Sequence, residues 1–197
     1  MLVECVRTIA LIPFFVDKVA TNNDMNATAV SLSIRTANDS DAAAIADIYN
    51  QGIADRGATF EIAPRSSEDM LSRVADTRYP LLVAVGDNDT VLGWAALSAY
   101  RSRDCYAGIA EFSIYLDRAA RGRGMGRPLL EALVDAARER GFWKLVSRIF
   151  PFNAASRALC RACGFREVGT YEKHAQLEGR WLDVVIVERL IRENLTP

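Results

Sequence analysis

The densest chemical information in the 197 residues lies in Glu111-Phe-Ser-Ile-Tyr-Leu116, followed by Asp117-Arg-Ala-Ala120, Arg121-Gly-Arg-Gly-Met-Gly126 and an apolar run. A strand that empties into a glycine-rich turn at a helix N-terminus aims several backbone N–H groups at one place. It also adds the positive end of the helix dipole. Such a place binds anions, most naturally phosphates. Glycine suits it because a Cβ would block close backbone approach and left-handed backbone angles. The Lys-Ser/Thr pair of a P-loop is absent, and the second and third glycines miss the G-x-G-x-x-G spacing of dinucleotide folds. The competing reading is a structural turn with two glycines.

The other reactive side chains are few. His174 is the only histidine, which excludes sites that need two and leaves acid–base chemistry to carboxylates. Cys5, Cys105, Cys160 and Cys163 are too few and too irregularly spaced for a secreted disulfide scaffold, so a reducing cytoplasm is expected. Cys160-Arg-Ala-Cys163 reads as C-x-x-C, but in the second half of a helical pattern rather than at a helix start. Zinc would need two further ligands, so no metal is expected and the pair reads as buried thiols. With 24 Lys plus Arg against 25 Asp plus Glu, the net charge of -1 exerts no long-range pull on nucleic acid or an anionic membrane.

These residues must be positioned by a core, and 50% hydrophobic and 25% charged residues suffice for one globular domain. Residues 1–31 stand apart: an apolar stretch from Val6 to Val16 is broken by Arg7 and Pro13 and followed by polar residues. It is too short to span a bilayer and lacks the form of a secretory signal. It reads as an N-terminal extension or, if Met25 is the true start, as a start-site artefact, with the folded domain over 32–197. From there the pattern predicts a strand at Leu32–Arg35, a helix over Asp41–Ala54 and a second helix through Glu68, Leu71 and Val74. A hairpin follows over Leu81–Val85 and Val91–Ala99, then a strand at Ile109–Leu116 and a helix from the glycine turn to Gly141. A strand at Leu145–Phe150, a helix capped by Asn153 and ending at Gly164, and strands at Phe165–Tyr171 and Trp181–Leu190 complete the chain. The sum is α/β (α+β): a mixed, mostly antiparallel sheet of about seven strands with about four helices and one βαβ crossover at its centre.

Arg121-Gly-Arg-Gly124-Met-Gly126 resembles the Q/R-x-x-G-x-G/A pyrophosphate loop of the GNAT acetyltransferase superfamily, and the resemblance runs over residues 33–192. Asn153-Ala-Ala-Ser156 to Gly164-Phe165 resembles the superfamily's Asn-x-x-Ala/Ser helix ending in Gly-Phe. Ile48-Tyr49-Asn50, Arg101-Ser-Arg103-Asp-Cys-Tyr106, Ala110-Glu111-Phe-Ser-Ile-Tyr115 and Gly179-Arg-Trp181-Leu-Asp183 are similar to phosphinothricin and methionine sulfoximine acetyltransferases. Leu145-Val-Ser-Arg-Ile149 and Val184-Val-Ile-Val-Glu188 look like the arsinothricin branch of that group.

The resemblance implies acetyl-CoA as co-substrate and direct acetyl transfer to the α-amino group of a glutamate-analogue antibiotic, arsinothricin or phosphinothricin, which confers resistance. It gives the CoA pyrophosphate to Arg121, Gly122, Arg123, Gly124, Met125 and Gly126, the pantetheine to Ser113, Ile114 and Tyr115, and further cofactor contacts to Asn153 and Ser156. It makes Glu111 the base that deprotonates the ammonium, alone or through a water. It sets Arg101 and Arg103 against the acidic groups of the substrate, with Glu111, Tyr106 and Phe60, and Thr59 beside it, as pocket walls. It also implies a homodimer and brings the hairpin of Lys173 and His174 near the active site. Two departures stand out: Cys160 occupies the place of the superfamily's Tyr general acid, and Pro128 removes one N–H from the first helical turn. The alternatives are acetylation of another small amine or a protein N-terminus, and a non-catalytic acyl-CoA sensor, which would have no need of Glu111.

Overall fold

The computed structural model describes residues 32–195. The N-terminal extension, with Cys5 and Met25, lies outside the described residues. In chain order the elements are β1 (Ser33–Thr36), α1 (Ala42–Ala54), α2 (Ser67–Val74), β2 (Leu81–Val85), β3 (Val91–Ala99), β4 (Ile109–Leu116), α3 (Gly126–Glu139), β5 (Lys144–Ile149), α4 (Ala154–Ala162), β6 (Arg166–Leu177) and β7 (Arg180–Leu190). The seven strands form one sheet in the order β1-β2-β3-β4-β5-β7-β6. Every neighbouring pair is antiparallel except β4 and β5, which α3 joins as a parallel crossover. The mixed, mostly antiparallel architecture expected from the sequence is the one found.

Helices cover both faces. Leu82 and Ala84 of β2, Ala95 and Leu97 of β3, and Ala110 and Phe112 of β4 pack with Leu129, Leu130 and Leu133 of α3 and Cys160 of α4. The alternate residues Leu81, Val83 and Val85, with Trp94 and Ala96, pack with Ile45 and Ile48 of α1 and Met70 of α2. Double coverage explains why β2 is apolar at every position, where a half-exposed strand would alternate. Cys160 and Cys163 are both buried and free, as their helical phase suggested.

Most boundaries shift from expectation by no more than a residue, and two differences have a clear physical cause. Asp39–Asp41 form a 3₁₀ turn capped by Asn38, so α1 starts at Ala42; Asp41 is buried and held by Arg35 at 2.6 and 2.9 Å. Strand β6 runs on to Leu177, six residues past the predicted end, and turns through Glu178-Gly179 into β7. Its residues are almost all exposed, so no apolar alternation marks the extension. Within it the register slips between Tyr171 and Ala175, a bulge where Lys173 takes φ +45° and donates its N–H to Asp183 at 2.7 Å.

Candidate active site

Strands β4 and β5 pair over three rungs only, Ile109 with Lys144, Ala110 with Leu145 and Glu111 with Val146. Beyond Glu111 they part, and Ser147 Oγ bridges to the Phe112 carbonyl at 2.9 Å. The gap opens into a cleft of about 390 Å³. Its walls are Glu111 to Tyr115 from β4, Ser147 to Phe150 around the end of β5, and Asn153, Ser156 and Cys160 at α4. Ala58 to Glu61, Tyr49, His174, Ala175 and Val184 complete it. A second groove of about 640 Å³ is lined by residues including Glu131, Arg166, Glu188 and Arg189. There Glu188 holds Lys144 and Arg166, and Arg189 donates to the Cys163 carbonyl.

The parted edge of β4 keeps hydrogen-bonding capacity. Phe112 turns its carbonyl toward β5, and the Leu116 carbonyl accepts from Arg121 Nε at 3.0 Å on the same side. Strand geometry repeats every two residues, so Ile114 between them also turns its N–H and C=O to the gap. The odd residues face the other way in hydrogen bonding: Glu111 O accepts from Ser98 Oγ, and Asp117 N–H donates to Leu92 O, both on the β3 side.

Glu111 stands at the fork. Arg148 Nη2 lies 2.5 Å from each of its carboxylate oxygens, and Nε adds a contact of 3.1 Å. Both sit on the same sheet face, because Glu111 pairs with Val146 and Arg148 follows two residues on. Beside them Tyr115 packs edge-on to Tyr49 and stacked on Trp94, and burial raises its phenol well above the usual range. Phe60 meets Phe150 edge-to-face at 4.9 Å. Cys160 closes the wall, its thiol pushed up to about 12, first by burial and then by neighbouring Cys163 and Glu167.

At the outer end, Gly122 and Gly124 take φ of +73° and +81°, and a Cβ on either would meet nothing within 4 Å. The turn thus needs glycine for its backbone angles and leaves open space beside it. Gly126 differs: a Cβ there would meet Leu159 Cδ2 at 3.2 Å, so its constraint is the packing of α3 on α4. No side chain caps α3, whose N-cap is the buried Met125, so the first-turn N–H groups are not satisfied that way. Arg121 binds Asp55 at 2.6 Å as well as Leu116 O, and Arg118 binds Asp55 at 2.5 Å. Arg123 is exposed. Asn153 caps α4 through Ser156 N–H and donates to Gly57 O, tying the helix to the 57–61 loop.

The cleft therefore unites Glu111, Ser113, Ile114, Tyr115, Asn153, Ser156, Phe60 and Thr59 of the expected residues, and the turn residues Arg121 to Gly126 are not among its walls. Arg101, Arg103 and Tyr106 are not among its walls. They lie in the loop before β4, where both arginines are exposed and Arg101 covers the Tyr100 ring at 5.3 Å. The Arg101 guanidinium is stabilised first by the Tyr100 side chain and more weakly by Tyr106 and Tyr171, and the Tyr171 ring lies tilted against His174 of the cleft wall at 5.3 Å. Sequence reasoning missed Arg148. Its signal was a charged residue between the buried Leu145 and Ile149, in the opposite phase, but the register that brings it to Glu111 crosses α3 and leaves no local mark. Among the described residues no group of His, Cys, Asp or Glu could hold a metal ion, and no helix is long and apolar enough to cross a membrane.

Residues 34–186 match the model of the acetyltransferase (GNAT) domain. The L-methionine sulfoximine/L-methionine sulfone acetyltransferase of Pseudomonas aeruginosa is 36% identical over 174 residues, covering 85% of this chain and 97% of the relative. An acetyltransferase structure from Salmonella typhimurium with its cofactor acetyl-CoA superposes with a TM-score of 0.80 at 32% identity, covering 85% of this chain and 98% of that one. A phosphinothricin acetyltransferase from Sinorhizobium meliloti in complex with AcCoA gives 0.76 at 34% identity, over 81% and 88%. A strand parted from its parallel neighbour beside a glycine turn, at this level of identity along most of the chain, places the protein in the GNAT acetyltransferase family.

Proposed function

We propose that the protein acetylates the α-amino group of an amino acid bearing a second acidic group, with arsinothricin and phosphinothricin as substrates and resistance as the outcome. The observation that carries this reading is the place of Glu111: a carboxylate at the fork of β4 and β5, between the open strand edge and the rest of the cleft. The relatives' names support an amino-acid analogue as the amine.

Acetyl-CoA supplies the acetyl group as a thioester, and the residues present fit it. The turn at 121–126 offers left-handed glycines beside open space and an α3 terminus without a side-chain cap, which suits a pyrophosphate. The even-numbered edge of β4 suits the amides of an extended arm, with the Ile114 N–H available to a carbonyl oxygen that gains negative charge. Glu111 takes the proton that the α-ammonium must lose before its nitrogen is nucleophilic. Burial holds the Cys160 thiol in its neutral form. The attacking amine, which must shed a proton on becoming an amide, supplies one to the departing CoA thiolate, directly or through a water. Arg101 and Arg103 are assigned to the side-chain acid, which extends away from the amine.

The reading includes a homodimer in the cytoplasm; the outer strand β6 leaves Val168 and Tyr171 exposed, and Trp181 of β7 beside it is exposed too. Assay of acetyl-CoA with phosphinothricin, arsinothricin, methionine sulfoximine and glutamate tests the substrate. Turnover of the phosphorus or arsenic analogue is expected. Acetylation confined to peptide N-termini would replace this reading.

A further inference from the structure

Arg148 is the one guanidinium among the described residues that line the cleft, and Glu111 is its one partner there. The pair is not locked in the core: the side chains are 46% and 23% exposed. Yet it contacts both carboxylate oxygens of Glu111, so an ammonium arriving at that carboxylate competes with the guanidinium for it. Such a competition favours a ligand that also satisfies the displaced guanidinium.

We propose that Arg148 is a specificity-determining residue that reads the α-carboxylate of the substrate, giving up Glu111 for that group as the amine takes its place. This rests on the amino-acid reading above. The chemistry follows from the shape of an α-amino acid. Its nitrogen and carboxylate carbon are attached to one carbon and stand roughly 2.5 Å apart. An ammonium delivered to Glu111 therefore carries its carboxylate to the neighbourhood of Arg148. One internal ion pair becomes two with the substrate, and the cleft's net charge is unchanged by a zwitterion. The planar fork of the guanidinium matches a carboxylate with two parallel hydrogen bonds, as it matches Glu111. The other charged side chain in the lining, Glu61, is acidic and held by Arg65 at 2.7 Å, so it does not compete for an anion. An amine without the carboxylate would have to displace Arg148 and leave it unpaired.

The test pairs phosphinothricin with its decarboxylated amine, identical but for hydrogen in place of the α-carboxylate. The readout is the ratio of kcat/KM between them in the parent chain, Arg148→Gln and Arg148→Lys. A bidentate charge-assisted contact predicts a parent ratio of about ten- to a hundredfold. In Arg148→Gln the ratio should collapse toward one, mainly through a higher KM for the amino acid, and Arg148→Lys should restore part of it. Melting temperature and acetyl-CoA affinity, measured alongside, should stay at parent values because the side chain is outside the core. A ratio that persists in Arg148→Gln, or a parent that uses both amines equally, overturns the assignment while leaving the amino-acid reading in place. A parent that acetylates neither overturns both.

Discussion

Two arginine–carboxylate clusters flank the cleft, with similar distances and different surroundings. At the glycine turn, Asp55 takes Arg118 at 2.5 Å and Arg121 at 2.6 Å, and these guanidiniums also reach the carbonyls of Gln51 and Leu116. Gln51 completes the network by bonding the Asp117 side chain and the Arg118 N–H. At the fork, the side chains of Glu111 and Arg148 have only each other among the described residues. The first cluster joins α1 to the turn and is anchored to backbone on both sides; the second faces open space with nothing else to hold it. An ion pair's length does not reveal whether it is scaffold or site. Its remaining hydrogen-bond partners do.

The largest expected effect that separates them is at Glu111. Glu111→Gln should lower turnover on the order of a hundredfold near neutral pH while preserving the fold and acetyl-CoA affinity, because it removes a base and keeps its shape. The loss should shrink as pH rises and more amine is neutral. Steady-state rates across pH check this, and an unchanged rate at pH 7 would reassign the proton transfer. Next comes the turn: Gly124→Val should weaken acetyl-CoA binding by about tenfold in calorimetry, because a branched Cβ strains the left-handed backbone of the proposed phosphate site. The amine KM should change less.

A smaller effect belongs to the scaffold cluster. Asp55→Ala should cost about 0.5–1 kcal/mol of stability, discounted because its arginine partners are about half exposed, and should raise the acetyl-CoA KM about threefold as the turn loosens. A loss of turnover as large as that of Glu111→Gln would erase the contrast. The smallest concerns Cys160. Its folded-state value is raised from about 9 to about 12, so the contribution of its buried neutral thiol is fully present below about pH 9 and is lost as pH rises toward 12. Alkylation at pH 8 should modify exposed Cys105 well before Cys160, and equal rates would show that the wall of the cleft opens.

The glycine turn and the strand ahead of it were legible because each carries its geometry locally: a strand phase, a left-handed position, a helix start. Alternation within β4 likewise separates Ala110 and Phe112 of the core from Glu111. The contact of Glu111 with Arg148 was not legible, since it depends on how a parallel strand returns across α3 and where the pairing stops. Nor was the full length of β6, whose solvent-facing residues face no second layer to select an apolar face. The Arg101–Arg103 loop shows the opposite case: a motif readable in sequence whose side chains stand outside the cleft walls.

The parting of β4 from β5 has a thermodynamic side. A sheet normally draws cohesion from every rung of its ladder, and here the central seam stops after three. The acyl donor's extended arm, lying along that vacant edge, would act as a borrowed strand that the polypeptide itself does not encode. Under that proposal folding and donor binding would draw on the same backbone groups, and the occupied protein would be the mechanically complete one. By mass action its resistance to unfolding rises with the logarithm of donor concentration once the site is saturated. A cell's supply of acetyl groups would thus set how durable this catalyst is as well as how fast it works.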